Sequence, residues 1–173
     1  MKLRAIILAG GASARLWPLT RYVPKQLVPF RGSTLLEESL ERVVPCASDG
    51  IIISTASIYQ EATEAIAERY GASVVSEPEP RNTALAVAYA LADEAIADTT
   101  ILLFMPSDHS IDDAERYRQA VQLAAQYAAD TDMPVLFGVR PTSASSLYGY
   151  IQYEHAACEP YVVHSSVSYT HLT

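Results

Sequence analysis

Cysteine is scarce, long apolar runs are absent, and the first 32 residues hold no acid at all. Cys46 and Cys158 are the two cysteines among 173 residues, and their spacing fits neither a zinc-ligand pattern nor a disulfide framework. The longest apolar run, residues 84–92, is alanine-rich and far short of the ~20 residues that span a bilayer. The MKLR start is followed by an apolar stretch, residues 5–9, that is too short for a signal-peptide core and runs into Gly10 and Gly11. Basic residues are outnumbered, for a formal net charge of −8, which argues against a nucleic-acid binder. No internal repeat, low-complexity segment or linker interrupts the chain. These absences exclude a membrane span, a secreted disulfide scaffold and a general polyanion binder. A soluble cytoplasmic domain with neither membrane nor nucleic-acid partner is the expectation.

What is present is enough for a folded core. Half the residues are hydrophobic and 18% are charged, and the length suits about one domain that buries roughly 70% of its unfolded surface. The charge is uneven. Residues 1–32 carry Lys2, Arg4, Arg15, Arg21, Lys25 and Arg31, leaving a net of −14 on the rest. A short cationic segment on an acidic body suits a small anionic ligand.

Strand and helix patterns alternate. Residues 3–9, 51–54, 72–76, 100–105 and 135–139 read as short buried strands, with 149–153 and 161–164 as two further, antiparallel candidates. Capping boxes at Thr34–Glu37 and Ser57–Gln60 open helices, the first stopped by Pro45 and the second by Gly71. Apolar residues at helical spacing predict a buried helix over 84–95, and Asp112–Glu115 opens another that runs to about residue 129. The alternation predicts an α/β fold, a Rossmann-like three-layer sandwich whose mixed, mostly parallel sheet is covered by helices on both faces. Ligands in such sheets bind at the carboxyl ends of the strands. Two unusual loops fall there, residues 10–26 and 106–110.

The first loop, within LAGGASARLWPLTRYVPKQ (residues 8–26), dominates the functional reading. Gly10 and Gly11 permit a sharp turn and close approach to a ligand. The small Ala12, Ser13 and Ala14 extend that clearance and leave backbone N–H groups to cradle phosphate oxygens. Arg15 forks onto two phosphate oxygens, Lys25 supplies a compact charge, and Pro18 and Pro24 stiffen the path between them. The GxxxxGK[ST] and GxGxxG patterns both fail here. The bland alternative is a glycine turn with solvated basic residues.

Three further blocks carry polar chemistry. In FMPSDHSI (residues 104–111), Asp108 is a carboxylate just past a buried strand, suited to Mg²⁺ or else to an Asx turn. His109 reads as a packing residue and not as a base. In EPEPRNTA (residues 77–84), Glu77 and Asn82 suit the hydrogen-bond donors of a ligand's polar edge, and Asn82 or Thr83 equally suits a helix cap. In YGYI (residues 148–151), Gly149 permits close approach of a ligand on which Tyr148 or Tyr150 stacks; a hairpin glycine between strand tyrosines is the alternative.

Together these blocks resemble the sugar-phosphate nucleotidyltransferases, whose first motif is roughly G-G-x-G-x-R-L-x-P-L-[ST]-x-x-x-P-K. The Leu16-Trp17-Pro18 and Pro24-Lys25-Gln26 variants, PSDH and E-P-x-x-R-N-T-A are similar to the mannose-1-phosphate guanylyltransferase branch. Ser13 stands where most members have glycine, and Leu147 replaces the first glycine of G-Y-G-Y-I. The resemblance implies the nucleotide-diphospho-sugar transferase fold and Mg²⁺-dependent transfer from GTP to mannose 1-phosphate. It also implies a set of roles. Ala9 to Arg15 with Glu77 and Asn82 would bind the nucleotide, and Lys25, Tyr148 and Gly149 the sugar phosphate. Arg15, Lys25 and Asp108 would be catalytic, with Asp108 the metal ligand. Alternatives are a relative using dTTP or UTP with glucose 1-phosphate, or an inactive nucleotide-binding fragment. A homo-oligomer stays open.

The resemblance runs from Met1 to about residue 164 and then fails. Residues 1–164 are therefore expected to be the N-terminal portion of a nucleotidyltransferase domain whose C-terminal part is missing. Residues 165–173 read as a tail of separate origin, because VSYTHL (residues 167–172) resembles one reading frame of a transposon-end sequencing adapter.

Overall fold

The computed structural model describes residues 1–11, 16–30, 32–77, 82–93, 96–97, 99–146, 148–154 and 160–168. Contacts divide the chain into two compact units, Met1–Asp132 and Met133–Thr173.

The first unit is built on four parallel strands, β1 (Lys2–Leu8), β4 (Ile51–Ala56), β5 (Ser73–Glu77) and β6 (Thr100–Pro106), in the order β5-β4-β1-β6. A two-residue antiparallel ribbon, β2 (Pro29–Phe30) with β3 (Ser33–Thr34), precedes the first helix. Successive side chains of β1 point to opposite faces. Leu3, Ala5, Ile7 and Ala9 join one core with Leu36, Leu40 and Val43 of α1 (Leu35–Val43), Ala67 of α2 (Gln60–Ala67), and Val121 and Ala125 of α4 (Ala114–Thr131). Ile6 lies on the other face with Ile52 and Val75. Helix α3 (Asn82–Asp93) packs against β1, β4 and β5.

Local chemistry sets the helix ends. Thr34 and Glu37 form a reciprocal capping box at α1, the hydroxyl accepting from the Glu37 N–H at 3.2 Å and the carboxylate from the Thr34 N–H at 2.7 Å. Asp113 caps α4 through the Arg116 N–H. Gly71 turns the chain out of the second helical region with φ at 63°, the left-handed conformation that glycine adopts without a Cβ clash.

Four expectations are corrected. The Ser57–Gln60 capping box does not form, because a 3₁₀ turn over Ser57–Tyr59 draws Ser57 into the helix and Gln60 donates instead to Glu64. Helix α3 is only partly buried: Ala86 is enclosed, but Tyr89 and Leu91 face solvent. Residues 135–139 form no ladder among the described residues, and Val139 is 92% exposed. The last strand runs over Val163–Ser168 (β8), beyond the expected 161–164, and pairs antiparallel with β7 (Gly149–Tyr153) in the second unit. Among the described residues no helix is long and apolar enough to cross a membrane.

Candidate functional site

The order β5-β4-β1-β6 means the chain steps outward from β1 through β4 to β5, then returns to the other side of β1. The crevice at such a reversal, outside the carboxyl ends of the strands, is where α/β sheets bind ligands. The loops after β1 and β6 flank it.

Three bonds tie these loops together. The side-chain amide of Gln26, itself buried, donates to the Ala9 carbonyl. That bond folds the long loop after β1 back onto the strand end. Lys25 precedes it in a 3₁₀ turn (Lys25–Leu27) that follows the extended Pro24. Across the crevice the Ser107 N–H donates to the Leu8 carbonyl at 3.2 Å, holding the first turn after β6 beside β1. With both loops anchored, the Lys25 ammonium meets the Asp108 carboxylate in a direct ion pair. Both groups are only partly covered, so each keeps a face toward solvent.

Glu77 ends β5 on the same rim and is only 4% exposed. Burying a carboxylate is costly unless it is hydrogen-bonded, and the Ser54 hydroxyl of β4 donates to Glu77 Oε1 at 2.6 Å. A Cβ on Gly10 would lie 2.8 Å from that same oxygen, so glycine at position 10 makes the room that Glu77 occupies. A Cβ on Gly11 would meet nothing within 4 Å among the described residues. Glycine at position 10 is thus required by a neighbouring side chain of the fold itself.

A buried cation lies beneath the second loop. Arg42 of α1 donates to the His109 carbonyl at 2.8 Å and to Ser39 Oγ at 3.1 Å, with its guanidinium 5.5 Å from the Tyr117 ring centre. At the opposite end of the sheet Lys2 and Arg4 both pair with Asp49, at 3.2 and 3.0 Å. The Lys2 hydrogen bond, with both neighbouring charges, holds the Asp49 carboxyl below the usual carboxylate range. Two of the six basic residues in the acid-free segment thus serve that far edge and not the crevice.

The nucleotidyl transferase pattern matches residues 4–163 of this sequence. The chain belongs to the nucleotidyl transferase family. It is 36% identical over 159 residues to a mannose-1-phosphate guanylyltransferase of Sinorhizobium fredii, covering 87% of this chain and 31% of that protein. It is 37% identical over 154 residues to the xanthan biosynthesis protein XanB of Xanthomonas campestris, covering 85% and 32%. The chain thus spans about a third of the length of these curated relatives. Among solved structures, a Thermus thermophilus protein described as mannose-1-phosphate geranyltransferase superposes with a TM-score of 0.80 at 36% identity, over 97% of this chain and 50% of that one. A UDP-glucose pyrophosphorylase complexed with UDP-glucose superposes with a TM-score of 0.70 over 97% of this chain and 69% of its own. At 16% identity that likeness shows the fold alone. The expected nucleotide-diphospho-sugar transferase fold is the fold of this nucleotidyl transferase.

Of the residues singled out in the sequence, Lys25 meets Asp108, Gly10 packs on Glu77, and Ala9 receives Gln26. Ala12, Ser13, Ala14 and Arg15 lie outside the described residues. Asn82 is the first residue of α3. Gly149 opens β7 in the second unit opposite Ser168, next to the exposed Tyr148, while the Tyr150 hydroxyl closes onto the Ser145 backbone at 2.9 and 3.0 Å. Ser54, Gln26 and Arg42 were missed. Ser54 is a polar break in the apolar run of β4, and Arg42 is a charge among the buried Ser39, Leu40 and Val43 of α1. Both signals are visible in the sequence as polar residues on faces that should be apolar.

Proposed function

We propose that this chain carries the nucleotide-binding side of a mannose-1-phosphate guanylyltransferase. The reaction is GTP plus mannose 1-phosphate giving GDP-mannose and pyrophosphate. The observation that carries the reading is the Lys25–Asp108 pair at the strand reversal, a cation and a hard oxygen donor side by side where phosphates bind. Relatives named mannose-1-phosphate guanylyltransferase support the choice of substrates.

The donor set fits Mg²⁺ shared with phosphates. Among the described residues no three His, Cys, Asp or Glu side chains gather around one point, and Mg²⁺ typically takes one or two carboxylates and completes its shell with phosphate oxygens and water. Asp108 supplies that carboxylate. When bound, the ion neutralises charge on the triphosphate.

The rest is work for side chains and backbone. A sugar-phosphate oxygen attacks the α-phosphorus in line, a new P–O bond forms, and the bond to pyrophosphate breaks with its electron pair leaving on pyrophosphate. No covalent enzyme intermediate is needed, so positioning and charge neutralisation dominate. Arg15 and the backbone amides of residues 10–14 hold the β- and γ-phosphates. Lys25 leaves its partner to lie between the α-phosphate and the incoming phosphate, reducing their repulsion. Glu77 accepts from the guanine edge, and Asn82 lies at the same end of the sheet as the start of α3. Tyr148 and Gly149 bind the sugar.

The test is calorimetric titration with GTP, with and without Mg²⁺, and with UTP and dTTP as comparators. Saturable, Mg²⁺-dependent binding that prefers GTP is expected. Equal binding of the three nucleotides would overturn the assignment of the base, and no binding by a folded sample would overturn the site.

A further inference from the structure

Arg42 is 7% exposed, yet among the described residues it has no carboxylate partner. Its Nε is a buried donor without a hydrogen-bond partner among the described residues. A guanidinium in that position is held by a backbone carbonyl, one hydroxyl and the face of Tyr117, which together repay burial poorly compared with a salt bridge. Core packing alone gives no reason for a charge here, since Leu36, Leu40 and Val43 already fill the apolar face of α1. The group that Arg42 does hold is informative. It is the carbonyl of His109, the residue after Asp108, reached across 67 positions of sequence.

The turn that presents Asp108 is therefore pinned on both sides. Ser107, before it, donates its N–H to the Leu8 carbonyl. His109, after it, accepts from Arg42 at 2.8 Å. Between these two anchors the Asp108 side chain reaches Lys25. A carboxylate on an unpinned turn would have to be ordered each time it met a cation, and that ordering costs conformational entropy. Pinning the backbone on either side settles this cost in the folded state.

We propose that Arg42 is a positioning residue for Asp108: its hydrogen bond to the His109 carbonyl fixes the Ser107–His109 turn so that the carboxylate meets Lys25 and, on the reading above, the metal-bound triphosphate. Arg42 touches no substrate in this scheme. Its charge contributes through a backbone oxygen, and one terminal nitrogen, Nη2, donates to both the Ser39 hydroxyl and the His109 carbonyl.

The experiment has a ligand-free arm and a ligand arm. In the first, amide hydrogen exchange compares Ser107, bonded to Leu8, with Ala9, whose N–H donates to the Ser54 carbonyl at 2.7 Å. Arg42→Met should lower protection at Ser107 by about tenfold or more while Ala9 stays near wild type, a local opening and not a global one. In the second, Mg²⁺·GTP titration of wild type, Arg42→Met, Asp108→Asn and the double variant forms a cycle. Arg42→Met should weaken the Mg²⁺-dependent part of the affinity roughly tenfold. The double variant should lose little more than Asp108→Asn alone, because both act through one carboxylate. Arg42→Lys, which keeps a charged donor for the His109 carbonyl, should recover part of both effects.

Wild-type protection at Ser107 in Arg42→Met and Arg42→Lys would overturn the proposal, as would strictly additive losses in the cycle. Equal loss of protection at Ser107 and Ala9 would also overturn it, reducing Arg42 to a general stabiliser. If wild type shows no Mg²⁺-dependent GTP binding, the functional reading fails by itself, and the exchange arm still decides whether Arg42 holds the turn.

Discussion

Lys25 and Asp108, 83 positions apart in the sequence, meet as an ion pair that closes the loop after β1 onto the turn after β6. The sequence suggests separate tasks for them, one facing the phosphates and one the metal. In the folded chain each pairs with the other's charge, so on the proposed reading a Mg²⁺·triphosphate would replace a pre-existing interaction instead of entering an unbalanced field. The partly exposed pair contributes about 1 kcal/mol or less to stability, after screening by solvent. Lys25→Ala should therefore leave the urea midpoint nearly unchanged while weakening GTP binding about 10- to 100-fold, the effect of losing a charge-assisted hydrogen bond. A midpoint shift with intact GTP binding would assign Lys25 to structure.

Gly10→Ala should destabilise the first unit by about 1–3 kcal/mol, the usual cost of forcing atoms into a filled site. The new methyl would sit 2.8 Å from Glu77 Oε1. A flexible carboxylate would ordinarily swing away, but this one is buried and receives the Ser54 hydroxyl. The clash should vanish when the carboxylate is removed, so Gly10→Ala in a Glu77→Ala background should cost much less. Chemical denaturation of the four proteins measures the coupling; full additivity would show that Gly10 is needed for another reason.

Glu37 gives the fold a defined acid sensitivity. Burial pushes its carboxyl up, but hydrogen bonds from Thr34 and Arg69 outweigh that and hold it below its ordinary value of 4.5. A carboxyl lowered in the folded state stabilises fully above its unfolded value and loses that contribution as pH falls through the folded one. Glu37→Gln keeps an acceptor for the Thr34 N–H but loses the Arg69 charge pair. Wild type should therefore be more stable than Glu37→Gln above about pH 5, with the gap closing as pH drops below 4.5. Urea midpoints across pH 3–7 (roughly the range over which such carboxyls titrate) check this, and a constant gap would show that the charge on Glu37 contributes nothing.

Much of this fold is written in local signals. The Thr34–Glu37 box and the left-handed Gly71 depend on residues within a few positions of each other. The Ser57–Gln60 pattern shows the limit of such signals: the same motif spacing yields a 3₁₀ turn when the chain leaves a buried strand directly into it. Residues 135–139 show another, since an apolar run becomes a strand only if a ladder partner is available, and none is among the described residues. At the site, the loops were legible because glycine, proline and lone charges concentrate there. The Ser54–Glu77 bond and the Arg42–His109 bond were not. Each joins different elements, and the pairing register and helix docking that bring them together are properties of the assembled sheet.

Nucleotide choice is the sharpest test of the rim. Glu77 ends β5 with one oxygen already receiving Ser54, which orients the carboxyl group and leaves Oε2 as the more available acceptor. A guanine edge presents two adjacent donors, whereas uracil and thymine present one N–H between two carbonyls. A carboxylate suits the first and repels the second. Glu77→Gln replaces one acceptor with a donor at nearly constant volume, so the fold and the Gly10 contact should persist. GTP affinity should fall by about tenfold or more while UTP and dTTP hold or gain, because a mismatched donor leaves a buried polar group unpaired. Competition calorimetry against all three nucleotides reads the change directly. If the three affinities fall together, Glu77 is a structural partner of Ser54 and Gly10, and the base is read elsewhere.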